Sequence, residues 1–169
     1  MALPRKLKNM NLFVDGISYV GVATEVQLPK LSRKLEEFRG AGLNAPIEAD
    51  LGMEKLEVEH TYGGLVRELF TQFGITRVDG VLLRFAGAYQ RDDTGEVDAV
   101  EVVLRGRHSE IDPGTSKPGD DTELKIKSSL SYYKLSINGE VVIEVDVLNM
   151  IELVGGTDRL ADQRRAIGL

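Results

Sequence analysis

Cysteine and tryptophan are absent from the 169 residues, histidine occurs twice and proline five times. Without cysteine there is no disulfide and no thiolate metal site, which is compatible with a reducing cytosol. The only histidines, His60 and His108, cannot form an H-x-x-x-H or H-E-x-x-H motif, so the spacing supports no metal centre. No apolar run reaches the length of a membrane-spanning helix. The basic opening, Met1 to Lys8, is not followed by the apolar core of a signal peptide. It reads as an exposed arm on a soluble protein. A net charge of −6 and a pI near 5.0 argue against tight binding to phosphate backbones. Apolar content of 42% and charged content of 28% are ordinary for one globular domain, taken here as residues 1–169.

What the chain does have is alternation. Ser131 to Leu148 reads as a β-hairpin: Tyr133, Leu135 and Ile137 lead into Asn138-Gly139, and Val141, Ile143, Val145 and Val147 lead out. Asn-Gly suits a type I′ turn, where both central residues take φ > 0. Asp15-Gly16 marks a second hairpin, and alternation continues to Pro29. Lys30–Arg39 fits either a helix stripe or an exposed strand, with strand favoured. A glycine loop follows, and then alternating Ile47–Leu51 and Leu56–Tyr62. The spacing of Leu65, Val66, Leu69, Phe70 and Phe73 predicts a helix over Gly64–Phe73, stopped by Gly74. Strands are expected over Val81–Tyr89 and Val97–His108. A polar loop covers Asp112–Asp121, and a shift of apolar phase at Tyr132-Tyr133 predicts a bulge. A C-terminal helix and tail occupies 157–169, with Thr157 as its N-cap.

The motifs that would carry chemistry fall short. Gly40-Ala41-Gly42-Leu43-Asn44-Ala45 fits G-x-G-x-x-A, but Pro46 and a strand pattern follow it rather than a helix. Gly16 to Gly21 misses the nucleophile elbow by one residue. Glu36-Glu37, Asp92-Asp93 and Asp120-Asp121 are sequence neighbours on opposite strand faces or in loops, so none predicts a shared proton. Tyr132-Tyr133 has no basic stripe beside it to make a nucleic-acid platform. No catalytic residue and no cofactor are expected.

Several segments in order along the chain resemble the major tail tube protein of contractile phage tails and of headless, bacteriocin-like particles. They are Asn11–Gly16, Leu28–Leu31, Arg39-Gly40-Ala41-Gly42, Asp50–Met53, Ile111–Gly114, Ser131–Leu135 and the closing Gly168-Leu169. The resemblance implies a mainly β subunit of two packed antiparallel sheets, barrel-like, with a flanking helix. It implies hexameric rings joined into one β-barrel and stacked head to tail inside a contractile sheath. Baseplate or tube-initiator and tail-terminator proteins would meet the ends. Genome DNA would pass non-specifically through the lumen, or the tube of a headless particle would puncture the target envelope. The location implied is the virion tail, assembled in the host cytoplasm without a membrane anchor.

Within that frame Glu48, Asp50, Glu57 and Glu59 are lumen candidates, read as the charged faces of two adjacent strands; a solvated outer face is the alternative. Ring and stack contacts are expected at Leu3 and Arg5 in an N-terminal arm (1–8). Further contacts are expected at Arg39, Gly40, Gly42 and Leu43 in the glycine loop, at Asp112 and Pro113, and at Leu160 and Arg164. A type VI-like secretion tube, or a small β-barrel ligand-binding protein or enzyme with a closed polar pocket, are the competing functions.

Overall fold

The computed structural model describes residues 1–169. Its strands are β1 (Lys6–Val14), β2 (Ile17–Ser18), β3 (Ala23–Gln27), β4 (Arg33–Phe38), β5 (Ile47–Met53) and β6 (Leu56–Tyr62), followed after helix α1 (Arg67–Thr71) by β7 (Val81–Gln90), β8 (Val97–Asp112), β9 (Leu124–Ile137), β10 (Glu140–Asp146), β11 (Ile151–Val154) and β12 (Thr157–Asp158). Helix α2 (Ala161–Ala166) closes the chain. All pairings are antiparallel, as expected of strands joined by hairpins. Ten strands form one sheet in the order β12-β11-β10-β9-β8-β7-β1-β2, with β6 and β3 added beside β9; β4 and β5 form a separate ribbon.

The two expected turns are present. Asp15 and Gly16 have φ of 47° and 82°, and Asn138 and Gly139 have 51° and 81°. The Asn138 side chain also braces its turn against β8, accepting from the Ala99 amide at 2.9 Å and donating to Asp98 at 3.0 Å.

The expected bulge falls at Ser131. Arg105 pairs with Tyr132 and Gly106 with Leu130, leaving Ser131 as the extra residue on β9. Before it β9 pairs with β6, and after it with β10. One residue therefore switches the inward phase from Leu124, Ile126, Ser128 and Leu130 to Ser131 and Tyr133, and lets the sheet branch. Gly106 meets the bulge so closely that a Cβ there would lie 2.0 Å from the Ser129 carbonyl oxygen.

Backbone bonds from Tyr19 to Leu12, from Ala23 to Tyr19 and from Gly63 to Val22 draw the β1–β2 end toward β3 and β6. The sheet thus rolls into a barrel-like body. Its core holds Val14, Tyr62, Leu69, Leu83, Phe85, Leu104 and Leu124, all 2% exposed or less.

Four expectations need correction. Helix α1 is only Arg67–Thr71, because Val66 is extended and supplies no side-chain cap. Of its apolar stripe Leu69 is buried, whereas Leu65, Phe70 and Phe73 face outward. The arm at 1–8 is partly strand, since Lys6–Lys8 open β1 with Lys6 and Leu7 paired to Gln90 and Tyr89. Thr157 belongs to β12 and Leu160 is the N-cap of α2, with no capping side chain. Finally, β5 and β6 are not neighbours: β5 pairs with β4, and β6 with β3 and β9.

Candidate assembly surfaces

Apart from its base, where Met53 packs against the core, the β4–β5 ribbon is largely uncovered. Every residue of β4 is exposed. On one face stand Phe38, Ile47 and Leu51, 57%, 53% and 55% exposed, with Ala49 between the last two. On the other stand Leu35 opposite Asp50 and Glu37 opposite Glu48. Directly opposed like charges weaken a strand pair. A two-stranded ribbon with neither face packed is marginal by itself.

Its tip and base are tied differently. At the tip, the Arg39 guanidinium donates to the Leu43 and Asn44 carbonyls, both at 3.3 Å, and closes the glycine loop on itself. Gly42 has φ of 84° and sits at the third position of a turn closed by Leu43 N–H to Gly40 O at 3.2 Å, which a side chain would strain. A Cβ at Gly40 would sit 3.2 Å from the Phe38 ring. At the base, Arg33 bridges Asp50 of the ribbon (2.8 Å) and Glu152 of β11. That hydrogen bond from Arg33 holds the Asp50 carboxyl below its usual range. Beside the bridge lies a groove of about 820 Å³, with Leu51, Leu56, Val147 and Leu160 among its lining.

The remaining expected contact residues form separate groups. The Leu3 amide donates to Asp93 at 3.2 Å, and Arg5 pairs with Glu96 and Asp98, so the N-terminus is pinned to the β7–β8 turn. Arg91 hydrogen-bonds Asp93 there and holds its carboxyl down at about 2. Asp112 and Pro113 lie at the far end of β8 from that cluster, and the Asp112 carboxylate accepts from the Gly114 amide at 2.9 Å. Leu160 is half-buried at the groove. The Arg164 guanidinium is spent internally, donating to Asp158 at 2.6 Å and to the Met150 carbonyl at 2.7 Å.

The four candidate lumen acids separate by sheet: Glu48 and Asp50 are on the ribbon, Glu57 and Glu59 on β6. Asp50 has Arg33, Glu57 has Lys55 at 2.8 Å, and Glu59 stands opposite Lys127. Only Glu48 lacks a cation, facing Glu37 instead. Sequence reading missed Arg33, Phe38 and Glu152 as site residues. Phe38 and Leu35 were visible as apolar positions in an otherwise charged stretch, whereas the Arg33–Glu152 bridge spans 119 positions and left no local sign.

Matching against protein families aligns residues 4–168 with the phage tail tube protein FII model. The chain belongs to the phage tail tube family. The tail tube protein of Escherichia phage P2 is 53% identical to it, with both chains covered in full. The major tail tube protein of Serratia phage KSP20 is 38% identical over 96% of this chain and 95% of its own. The fold also matches two components of an extracellular contractile injection system. One is a PVC sheath/tube terminator in the extended state (TM-score 0.57, 9% identity, 76% of this chain and 93% of that one). The other is a PVC sheath-tube complex in the extended state (TM-score 0.56, 10% identity, 76% and 88%). This tail tube protein is therefore a structural component of a phage tail or phage-tail-like particle and not an enzyme.

Proposed function

We propose that copies of this tail tube protein close into hexameric rings, that their sheets join into one β-barrel around a channel, and that the rings stack head to tail. One observation carries this reading: the β4–β5 ribbon, separate from the ten-stranded sheet that holds the core, exposes Phe38, Ile47 and Leu51. Burying such side chains is worth about 1.5–3 kcal/mol each, and a sister copy can supply the cover. The ribbon also presents free strand edges, which a closed ring would pair. The N-terminal cluster and the Asp112-Pro113 loop lie at opposite ends of β8, as a head-to-tail contact requires of unlike surfaces. Such a contact does not close, so another protein must set the length.

In the assembled particle the tube takes a contractile sheath around it and initiator and terminator proteins at its ends. The channel conducts DNA in a phage, and the tube punctures the envelope in a headless particle. Glu48, Asp50, Glu57 and Glu59 remain lumen candidates, with Glu48 and Glu59 contributing most to repulsion of phosphate because Asp50 and Glu57 hold close ion pairs. Electron microscopy of concentrated wild-type protein tests the reading. Rings and tubes are expected, and Phe38→Glu should yield dispersed, folded subunits. Dispersed wild-type protein at high concentration would overturn it. Lysine at all four acids should slow genome delivery while tubes still form; undiminished delivery would remove them from the lumen.

A further inference from the structure

The two histidines meet inside the barrel, where tube building has no use for them. His60 is fully buried and His108 nearly so, with ring centroids 5.6 Å apart. A continuous hydrogen-bond chain runs through both. Tyr62 Oη is 2.7 Å from His60 Nδ1, and His60 Nε2 is 3.0 Å from Ser128 Oγ. Ser128 Oγ is 2.8 Å from His108 Nδ1, and His108 Nε2 is 2.8 Å from Gln72 Oε1. Gln72 Nε2 then donates to Asp15 Oδ2 at 3.0 Å.

With both imidazoles neutral, as burial favours, the last contact fixes the direction of all the others. A carboxylate can only accept, so the Gln72 amide turns its N–H to Asp15 and its oxygen to His108. His108 must then donate from Nε2 and accept at Nδ1 from the Ser128 hydroxyl. Ser128 accepts from His60 Nε2, and His60 Nδ1 accepts from Tyr62. Every group is satisfied once, and both imidazoles are neutral.

Gln72 caps the C-terminal end of α1. Besides the buried Leu69 and the half-buried Val66, it is what fastens this five-residue helix to the barrel. The geometry points to a latch: the chain from Gln72 through His108, Ser128 and His60 to Tyr62 holds α1 down while both imidazoles are neutral, and acid opens it. A proton on His108 Nδ1 turns that nitrogen into a donor to Ser128 Oγ and strands one hydroxyl hydrogen, on Ser128 or, if the chain reverses through His60, on Tyr62. It also places a charge beside a second buried imidazole. Lifting α1 lets water reach His108.

The charged and titratable surroundings are few. Asp15 of the β1–β2 turn favours the proton, and Tyr19, Tyr62 and the Glu68 carboxylate near Tyr19 complete the facing set. Arg107 and Glu110 on β8, and Lys125 and Lys127 on β9, are not buried with the pair, and the fully buried residues of β7 are apolar Val81, Leu83 and Phe85. Burial lowers both imidazoles, in agreement with the neutral chain. Opening would also displace Leu65, Phe70 and Phe73, the exposed apolar residues on and beside α1. The latch belongs to the single subunit and holds whether or not rings form.

Hydrogen exchange of residues 67–72 in the full chain, corrected for intrinsic rate, tests it. Between pH 6.5 and the lowered native value of His108, exchange is expected to rise about tenfold for each pH unit of acidification. His108→Gln, which keeps polar reach without titrating, should flatten that dependence. A flat wild-type profile, or an undiminished slope in His108→Gln, would overturn the latch. Nitrogen-15 NMR of the wild type at neutral pH gives an answer even if the variant does not fold: both rings must carry their proton on Nε2, and an Nδ1–H form in either ring contradicts the chain.

Discussion

The barrel-like body and the β4–β5 ribbon are both antiparallel β-structure built from alternating residues, yet they solve the problem of apolar surface in opposite ways. In the body, alternation points Leu83, Phe85, Val102 and Leu104 at a core shared with β1, β6, β9 and α1, and each is 2% exposed or less. In the ribbon, alternation leaves Phe38, Ile47 and Leu51 more than half exposed, with Leu51 at the rim of an open groove. The same local pattern thus gives a closed core in one region and an exposed apolar face in the other. Stability should reside in the body, and assembly in the ribbon.

Substitutions and conditions that touch one region alone sharpen this contrast. Acid should act most strongly, and mainly on the body. Burial lowers His60 from 6.5 to about 3, so the unfolded chain takes up the proton first as pH falls. Above 6.5 both states are neutral and nothing is lost; between 6.5 and about 3 stability declines, by on the order of 5 kcal/mol over the window. Urea unfolding across that range should show it, and a constant midpoint would count against a neutral buried His60.

Phe85→Ala should cost about 4 kcal/mol in the same assay, and lose tubes only because the subunit unfolds. Gly106→Ala should cost about 3 kcal/mol or more, since its Cβ collides with backbone at the Ser131 bulge rather than with a movable side chain. Phe38→Ala and Ile47→Ala should change subunit stability by less than about 0.5 kcal/mol and yet reduce or abolish tubes in micrographs. A large stability loss from either would mean that the ribbon packs within its own subunit. Arg33→Ala should leave the unfolding midpoint unchanged, because its ion pairs are partly exposed and screened. Faster exchange in β4 and β5 would be its only signature in the free protein.

The sequence made the hairpins, the long strands and the mainly β class readable because those features are written in adjacent residues. Asn138-Gly139 and Asp15-Gly16 need only local φ > 0, and the phase change near Tyr132 announced the bulge within one or two positions. What it could not show depends on distant partners. Whether β5 pairs with β4 or with β6 is a choice between strands of similar alternation, and it moved Glu48 and Asp50 away from Glu57 and Glu59. The α1 stripe looked buried by spacing, but a five-residue helix can turn only Leu69 fully inward. Thr157 had the chemistry of an N-cap, yet pairing with β11 captured it as a strand residue. His60 was legible as part of the alternating Leu56–Tyr62 stretch and His108 as a strand end; only the β8–β9–β6 register brings both to Ser128.

Hydrogen exchange of residues 33–53, compared between free subunits and assembled tubes of the same protein, tests the division of labour most directly. The ribbon amides should exchange rapidly in the free subunit and become protected in the tube, while β7, β8 and β9 stay protected in both. Equal protection of the ribbon in the two states would contradict the account, because it would place the cover for Phe38, Ile47 and Leu51 inside a single chain.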